Sequence, residues 1–220
     1  MKSLFLVANW KSNKTINEAE NWLEQLKNNL KTIPEEKQII ICPAYTILSD
    51  LKRLISKYNL PFKLGAQDIS QYPEGEYTGE INGQQIKELA DFVIIGHSER
   101  RKDFSENQQI LSEKTLRSKE NNLKTIFCVA KKEDLIPSDV DFVVYEPLFA
   151  IGSGDPDSPE SAEQMAKFIK GQYQTKSVLY GGSVNSQNVK TFISMPNIDG
   201  VLVGHASLDP LEFAKIIEFS

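Results

Sequence analysis

Eight short apolar runs, each ending in polar or glycine-rich residues and most followed by a stretch with helical spacing, constrain this 220-residue chain more than any other feature. The runs cover 3–8, 38–42, 62–66, 91–95, 124–129, 141–145, 177–180 and 200–203. Between the first two, 15–30 sets Ile16, Ala19, Leu23, Leu26 and Leu30 on one helical stripe, and 46–58 repeats the pattern with Ile47, Leu51, Leu54, Ile55 and Tyr58. Further helices are expected at 82–90, at 105–122 behind an N-cap at Ser105, at 158–170, at 185–194 and at 209–219. Ser158 is the expected cap of the 158–170 helix, with Pro159 at its first helical position. The interval 130–140 is the exception: Pro137 cuts it, and at most a turn or two of helix fits. Strict alternation implies a parallel sheet. Eight repeats imply an α/β fold closed into a (β/α)8 barrel, with a truncated helix after strand five, rather than an open doubly wound sheet.

No linker divides 1–220, so one barrel domain is expected, near the short end for this architecture. With 25 basic against 30 acidic residues the formal charge is −5, which gives no footprint for nucleic acid or an acidic membrane. The apolar stretch at 1–8 runs at once into Asn9-Trp10-Lys11, too short for a signal peptide, and no run approaches membrane-spanning length. A cytoplasmic protein is expected. The two cysteines, Cys42 and Cys128, each end an apolar run, which favours buried reduced thiols over a disulfide. No dinucleotide fingerprint and no metal-ligand spacing occurs, so neither a cofactor nor a metal is expected.

In a parallel barrel all C-terminal strand ends share one face, so residues distant in sequence converge there. Strand one ends in Asn9-Trp10-Lys11, strand four in Gly96-His97-Ser98-Glu99-Arg100-Arg101, and strand six in Glu146 followed by Pro147 and the glycine loop 150–154. Strand seven leads into Gly181-Gly182-Ser183 and strand eight into Gly204-His205. A carboxylate delivered by a rigid strand beneath a glycine loop suits a base under a lid, and the glycines can offer backbone N–H groups to an anion. Taken singly, Glu146, His97 and Lys11 read equally well as an exposed strand exit, a satisfied histidine and a solvated lysine.

Together these motifs resemble, in order and over nearly the whole chain, those of the triosephosphate isomerase family, a TIM-barrel family. The resemblance implies interconversion of dihydroxyacetone phosphate and glyceraldehyde 3-phosphate through an enediol(ate). By it Glu146 is the base and His97 the neutral electrophile, a pairing for which this family is itself a standard example. Asn9 and Lys11 would support the developing oxyanion, and Lys11 would also attract the dianionic substrate. Gly152, Ser183, Gly204 and His205 would offer backbone N–H groups to the phosphate, and Ile151 and Leu202 would close over the base. Glu99 would be the buried partner that orients Lys11, and a proton relay. The polar excursion from Gln67 to Glu80, with Tyr77-Thr78-Gly79-Glu80, resembles the family's intersubunit loop and implies a homodimer. In it Thr78 would reach the neighbour's pocket, Ser12 and Asn13 would line the socket, and Glu80 would lie near Arg100 of its own chain.

The chain departs from the family pattern at His205, where a second glycine is usual, at Phe149 and Asp155 in the lid hinges, and after Cys128. Pro156 fixes one torsion of the second hinge, so lid motion is expected to pivot at Gly154 and the first hinge. Two alternatives stay open on the residues: an aldolase with Lys11 as a Schiff base, and a phosphate-binding protein without turnover.

Overall fold

The computed structural model describes residues 3–30, 33–173 and 177–220. Eight parallel strands close on themselves in sequence order, from β1 (Leu4–Asn9), β2 (Lys37–Cys42), β3 (Phe62–Ala66) and β4 (Phe92–Ile95) through β5 (Lys124–Val129), β6 (Phe142–Tyr145), β7 (Ser177–Tyr180) and β8 (Gly200–Val203). Alternation along each strand sorts two apolar layers. Phe5, Val7, Ile40, Cys42, Phe92, Ile94, Ile126, Cys128, Phe142, Val144, Leu179 and Leu202 fill the interior, and their neighbours Leu6, Ile39, Ile41, Val93, Phe127 and Val143 face the helices. Phe142 packs edge-on against Phe5 at 4.7 Å and beside Phe92 at 5.9 Å, which floors the barrel.

The outer layer begins with α1 (Ile16–Asn29) and α2 (Tyr45–Lys57). In α1 a reciprocal cap between Thr15 and Glu18 fixes the start. Ala19, Leu23 and Leu26 are buried as their spacing requires, but Ile16 is exposed and Trp22 takes the place in the stripe. The Trp22 indole packs edge-on against Trp10 at 4.7 Å and donates to the Ser207 carbonyl at 3.1 Å. The helix after β3 is shorter than its sequence signal, α3 (Gly83–Lys87), capped by Asn82.

Two helices follow β4. The first, α4 (Ser98–Asp103), lies where the sequence shows only a charged motif: Ser-Glu-Arg-Arg-Lys-Asp has no apolar periodicity, and the helix buries none of its residues. The second, α5 (Gln108–Glu120), is capped by Asn107, which corrects the assignment to Ser105. Ser105 instead adopts φ 57, in the left-handed region, and turns the chain between the two helices. The connection 130–141 holds no helix and is tied by Asp134 Oδ2, which accepts from the Ala130 and Lys131 N–H groups at 2.7 and 3.2 Å. Then come α6 (Pro159–Tyr173), whose Ser158 hydroxyl accepts from Ser161 N at 3.1 Å, α7 (Val189–Ile193) and α8 (Pro210–Phe219). The expected start of α7 at Asn185 is a turn instead, because the Asn185 side chain accepts from Gln187 N and Asn188 N. No helix among the described residues is long and apolar enough to cross a membrane.

Closure depends on a close backbone approach. β8 pairs with β1 at Gly200 opposite Phe5, and a Cβ at position 200 would lie 2.0 Å from the Phe5 carbonyl oxygen. No rotamer change relieves a clash with backbone. Gly200→Ala is expected to lower unfolding free energy by about 3 kcal/mol or more, read as a reduced urea midpoint.

Candidate active site

Strand parity delivers two of the polar residues to the mouth. Above Phe5 and Val7 in β1 stands Asn9, and above Phe142 and Val144 in β6 stands Glu146, whose backbone N–H extends the ladder to Val129 O at 2.8 Å. Parity alone would turn His97 outward. Gly96 prevents that: its φ of 72 reverses the chain, and a Cβ there would stand 2.9 Å from an Arg101 nitrogen. His97 thereby enters the mouth, 5% exposed, as the residue that caps α4.

The capping bond also sets the ring's protonation. His97 Nδ1 accepts the Glu99 N–H at 3.3 Å, which leaves the proton of a neutral imidazole on Nε2. Nε2 points at Glu146 Oε1, 3.5 Å away. Glu146 is 2% exposed, and its Oε2 has no hydrogen-bond partner among the described residues. Gly181 makes room for it, since a Cβ there would lie 2.7 Å from Glu146 Cγ. The Cys128 thiol lies beneath; burial, and after it the Glu146 charge, push its pKa well above the ordinary value and keep it neutral.

Lys11 adopts φ 53, held by its N–H donating to Asn9 Oδ1 at 3.1 Å and by Gln67 Nε2 donating to its carbonyl at 2.9 Å. Its ammonium pairs with Glu99 Oε1 at 2.5 Å. The Glu99 side chain is 44% exposed, so the expectation of a buried partner is corrected for the single chain: it meets Lys11 at the rim.

Lys11, His97, Glu146, Ile151, Leu202, Gly152, Ser183, Gly204 and His205 line one cavity of about 400 Å³. Asn9 supports it from below through Lys11, and Glu99 from the side. The backbone N–H groups of Gly152, Ser183, Gly204 and His205 have no acceptor among the described residues. Converging free N–H groups form a cradle for an anion. The His205 side chain is exposed and forms no hydrogen bond or ion pair among the described residues.

Three contacts hold the lid down over this cavity. Ser183 Oγ donates to Ala150 O at 2.6 Å and accepts from Gly154 N at 3.1 Å, and Tyr180 Oη accepts from Asp157 N at 2.8 Å. Tyr145 Oη donates to Asp157 Oδ2 at 3.2 Å, and burial, then Asp157, push that phenol up to about 12. Pro156 therefore sits between two anchored amides, since Asp155 N also bonds Ser153 Oγ at 3.0 Å. Sequence reasoning noted the Tyr-Gly-Gly-Ser motif but gave Tyr180 no role, because a phenol reaching from β7 to the hinge is a tertiary contact. It also missed Asn185, which lines the cavity; its place as a helix start concealed it.

A closed parallel barrel whose C-terminal mouth sets a buried carboxylate against an imidazole, with a cation and free amides beside them, defines an enzyme of the proton-transfer class. The comparison with known sequences narrows that class. A profile of triosephosphate isomerase matches residues 4–139 and 137–220, the two matches meeting inside the shortened β5–β6 connection. The triosephosphate isomerase of Dictyoglomus turgidum is 38% identical, covering 99% of each chain. Those of Mesomycoplasma hyopneumoniae strain 7448 and Aquifex aeolicus are each 35% identical, covering 96% of this chain and 97% of theirs. The chain belongs to the triosephosphate isomerase family.

The latch can be tested directly. Tyr180→Phe keeps the stack on Phe192, whose centroid is 4.0 Å away, and removes the acceptor of Asp157 N–H. Loss of one such bond is expected to raise the open-lid population about fivefold, measured by relaxation dispersion on the Gly152 amide.

Proposed function

We propose that this protein interconverts dihydroxyacetone phosphate and glyceraldehyde 3-phosphate by base-catalysed proton transfer through an enediol(ate). The observation that carries this reading is the facing pair, His97 Nε2 3.5 Å from Glu146 Oε1 with Nδ1 taken by a backbone N–H, in a cavity that is also lined by four residues with free amides. A substrate resting against both groups would bring its acidic carbon hydrogen to the carboxylate and its carbonyl oxygen to the imidazole N–H, at the roughly 3–3.5 Å that a reactive geometry needs. Glu146 removes the proton from one carbon and returns it to the next. His97 donates to the oxygen that gains charge, and Lys11 with the Asn9 amide supports the same oxyanion. Phosphate binding rests on the amides of Gly152, Ser183, Gly204 and His205, while Ile151 and Leu202 exclude water from the base.

An aldolase using Lys11 needs that amine free to attack a carbonyl. Its engagement by Glu99 at 2.5 Å favours the electrostatic role instead. A protein that binds phosphates without turnover would have no use for a second carboxylate oxygen left unpaired in a buried site.

We also read the chain as a homodimer. Residues 72–80 are exposed throughout, Tyr72 and Tyr77 stack on each other at 4.3 Å, and Ser12 and Asn13 beside Lys11 are exposed in turn. Ser70 N bonds Ile81 O at 2.9 Å and pinches the base of this excursion, so it projects as a formed element. The partner's excursion entering beside Lys11 would cover the rim where Glu99 stands. Arg100 pairs with Asp68 at 2.8 Å and Glu106 at 2.7 Å.

Dihydroxyacetone phosphate followed by NMR in heavy water is expected to give glyceraldehyde 3-phosphate carrying deuterium on carbon; exchange without product, or neither, refutes the isomerase reading. Glu146→Gln preserves shape and removes the base, so kcat should fall by about 10²–10⁴-fold or more with ligand binding kept. His97→Gln should retain a measurable residual rate. Sedimentation should show a dimer at working concentration, and deletion of residues 72–76 should give weakly active monomers.

A further inference from the structure

Ser183 serves two elements at once. Its hydroxyl makes two of the lid contacts, donating to Ala150 O at 2.6 Å and accepting from Gly154 N at 3.1 Å, while its backbone N–H, without an acceptor among the described residues, belongs to the cavity lining. It does so at φ 50, in the left-handed region that a residue with a Cβ enters only at a cost. Among the described residues its backbone makes a single hydrogen bond: Asn188 Nδ2 donates to Ser183 O at 3.0 Å. We propose, resting on the reading of that cavity as the phosphate site, that Asn188 is a positioning residue for anion binding, whose side-chain amide holds Ser183 in this conformation and keeps its N–H in the cradle when the lid is open.

The orientation of that amide is fixed by its partners. Asn188 Oδ1 accepts from Asn185 N at 2.9 Å, so the other terminus is the NH2 group, and it donates to the Ser183 carbonyl. Asn185 answers with its own Oδ1, which accepts from Gln187 N at 2.9 Å and Asn188 N at 3.2 Å, so the two asparagines lock one turn. Ser186 N donates to Glu212 Oε1 at 2.7 Å and fastens this turn to α8 rather than to the lid. An asparagine in this place ordinarily caps a helix. Asn188 immediately precedes α7, yet its side chain makes no capping bond to it. Both ends of the amide go instead to the segment that carries Ser183.

Lid position sharpens the dependence. Opening breaks both bonds of the Ser183 hydroxyl, because Ala150 and Gly154 are the two ends of the moving loop. The Asn188 bond runs to a turn anchored on α8 and does not depend on the lid. Among the described residues it is then the one bond left to oppose a return of Ser183 to the ordinary φ range. A cradle kept formed in the open state needs no rearrangement when the anion arrives, and such preorganisation appears as affinity. Without the Asn188 bond the binding-competent fraction falls, and affinity falls by the same factor.

Sulfate, a dianion that undergoes no turnover, is the probe, titrated into the full chain and followed by NMR at the Ser183 amide. Asn188→Ala removes both side-chain bonds, whereas Asn188→Asp keeps the acceptor for Asn185 N and replaces the donor to Ser183 O. Each variant is expected to weaken sulfate binding about fivefold or more, with melting curves showing both folded. Each should also raise KM for dihydroxyacetone phosphate by a larger factor than it lowers kcat. Loss in Asn188→Ala alone would assign the effect to the turn, and loss in Asn188→Asp alone to its added charge; either result overturns the proposal, as does parental affinity in both. Should Asn188→Ala not fold, the neutral Asn188→Ser takes its place. A parent protein that binds no sulfate overturns the proposal together with the phosphate reading. Failure of the isomerase reading would appear separately, as the same loss of sulfate affinity in both variants of a protein that forms no glyceraldehyde 3-phosphate.

Discussion

Closure of the barrel between β8 and β1 is the constraint on which the rest depends. Only a glycine at position 200 lets the two backbones meet, with the Phe5 carbonyl 2.0 Å from where a side chain would start. Once the ring is closed, each strand has an inside and an outside, and the period of two fixes what stands at the top of the interior stack. Asn9 and Glu146 stand there because they continue the rows begun by Phe5 and Phe142. The site is thus a polar cap on an apolar column, carried by the most rigid part of the molecule.

The chemistry comes from a departure from that regularity. Gly96 in the left-handed region breaks the parity of β4, turns His97 inward, and starts α4 so that a backbone N–H occupies Nδ1. One glycine thereby sets the ring's position and its proton at once. Lys11 departs in the same way, with φ 53 sustained by Asn9 and Gln67. Strained or unusual backbone at these positions is sustained by surrounding bonds, as expected where geometry serves function.

Outside the mouth, a buried charge cluster anchors the base of the exposed excursion. Lys114, 4% exposed, bonds Asp68 at 2.6 and 2.7 Å and Glu106 at 2.5 Å, and Arg100 bridges the same two carboxylates. Burial raises the Asp68 carboxyl above its ordinary value even against these cations. Such clusters add little net stability for their desolvation cost, but removing one member leaves an uncompensated buried charge. This one ties α5 to the end of β3. The shortened unit after β5 has the opposite character: with no helix to cover it, apolar side chains stay in contact with solvent around a cavity.

Periodicity by itself determined the barrel. Local spacing of apolar residues encodes strand and helix, and eight alternations leave one economical way to bury every apolar face. Glu146, His97, Lys11 and the glycine turns were legible because strand ends in a parallel barrel share a face. The sequence did not show α4, whose six residues, five of them charged, have no apolar period and which tertiary contacts hold in place. Nor did it show that Asn107 rather than Ser105 caps α5, since both are good capping residues and only the backbone torsion of Ser105 separates them. The tautomer of His97, the exposure of Glu99, the Tyr180 latch and the cavity behind Glu146 were decided by tertiary structure alone. The latch and the cavity depend on atoms from strands or loops far apart in the chain, and the tautomer on a cap between His97 and Glu99 that forms only once Gly96 has turned the ring inward; no local pattern records those distances.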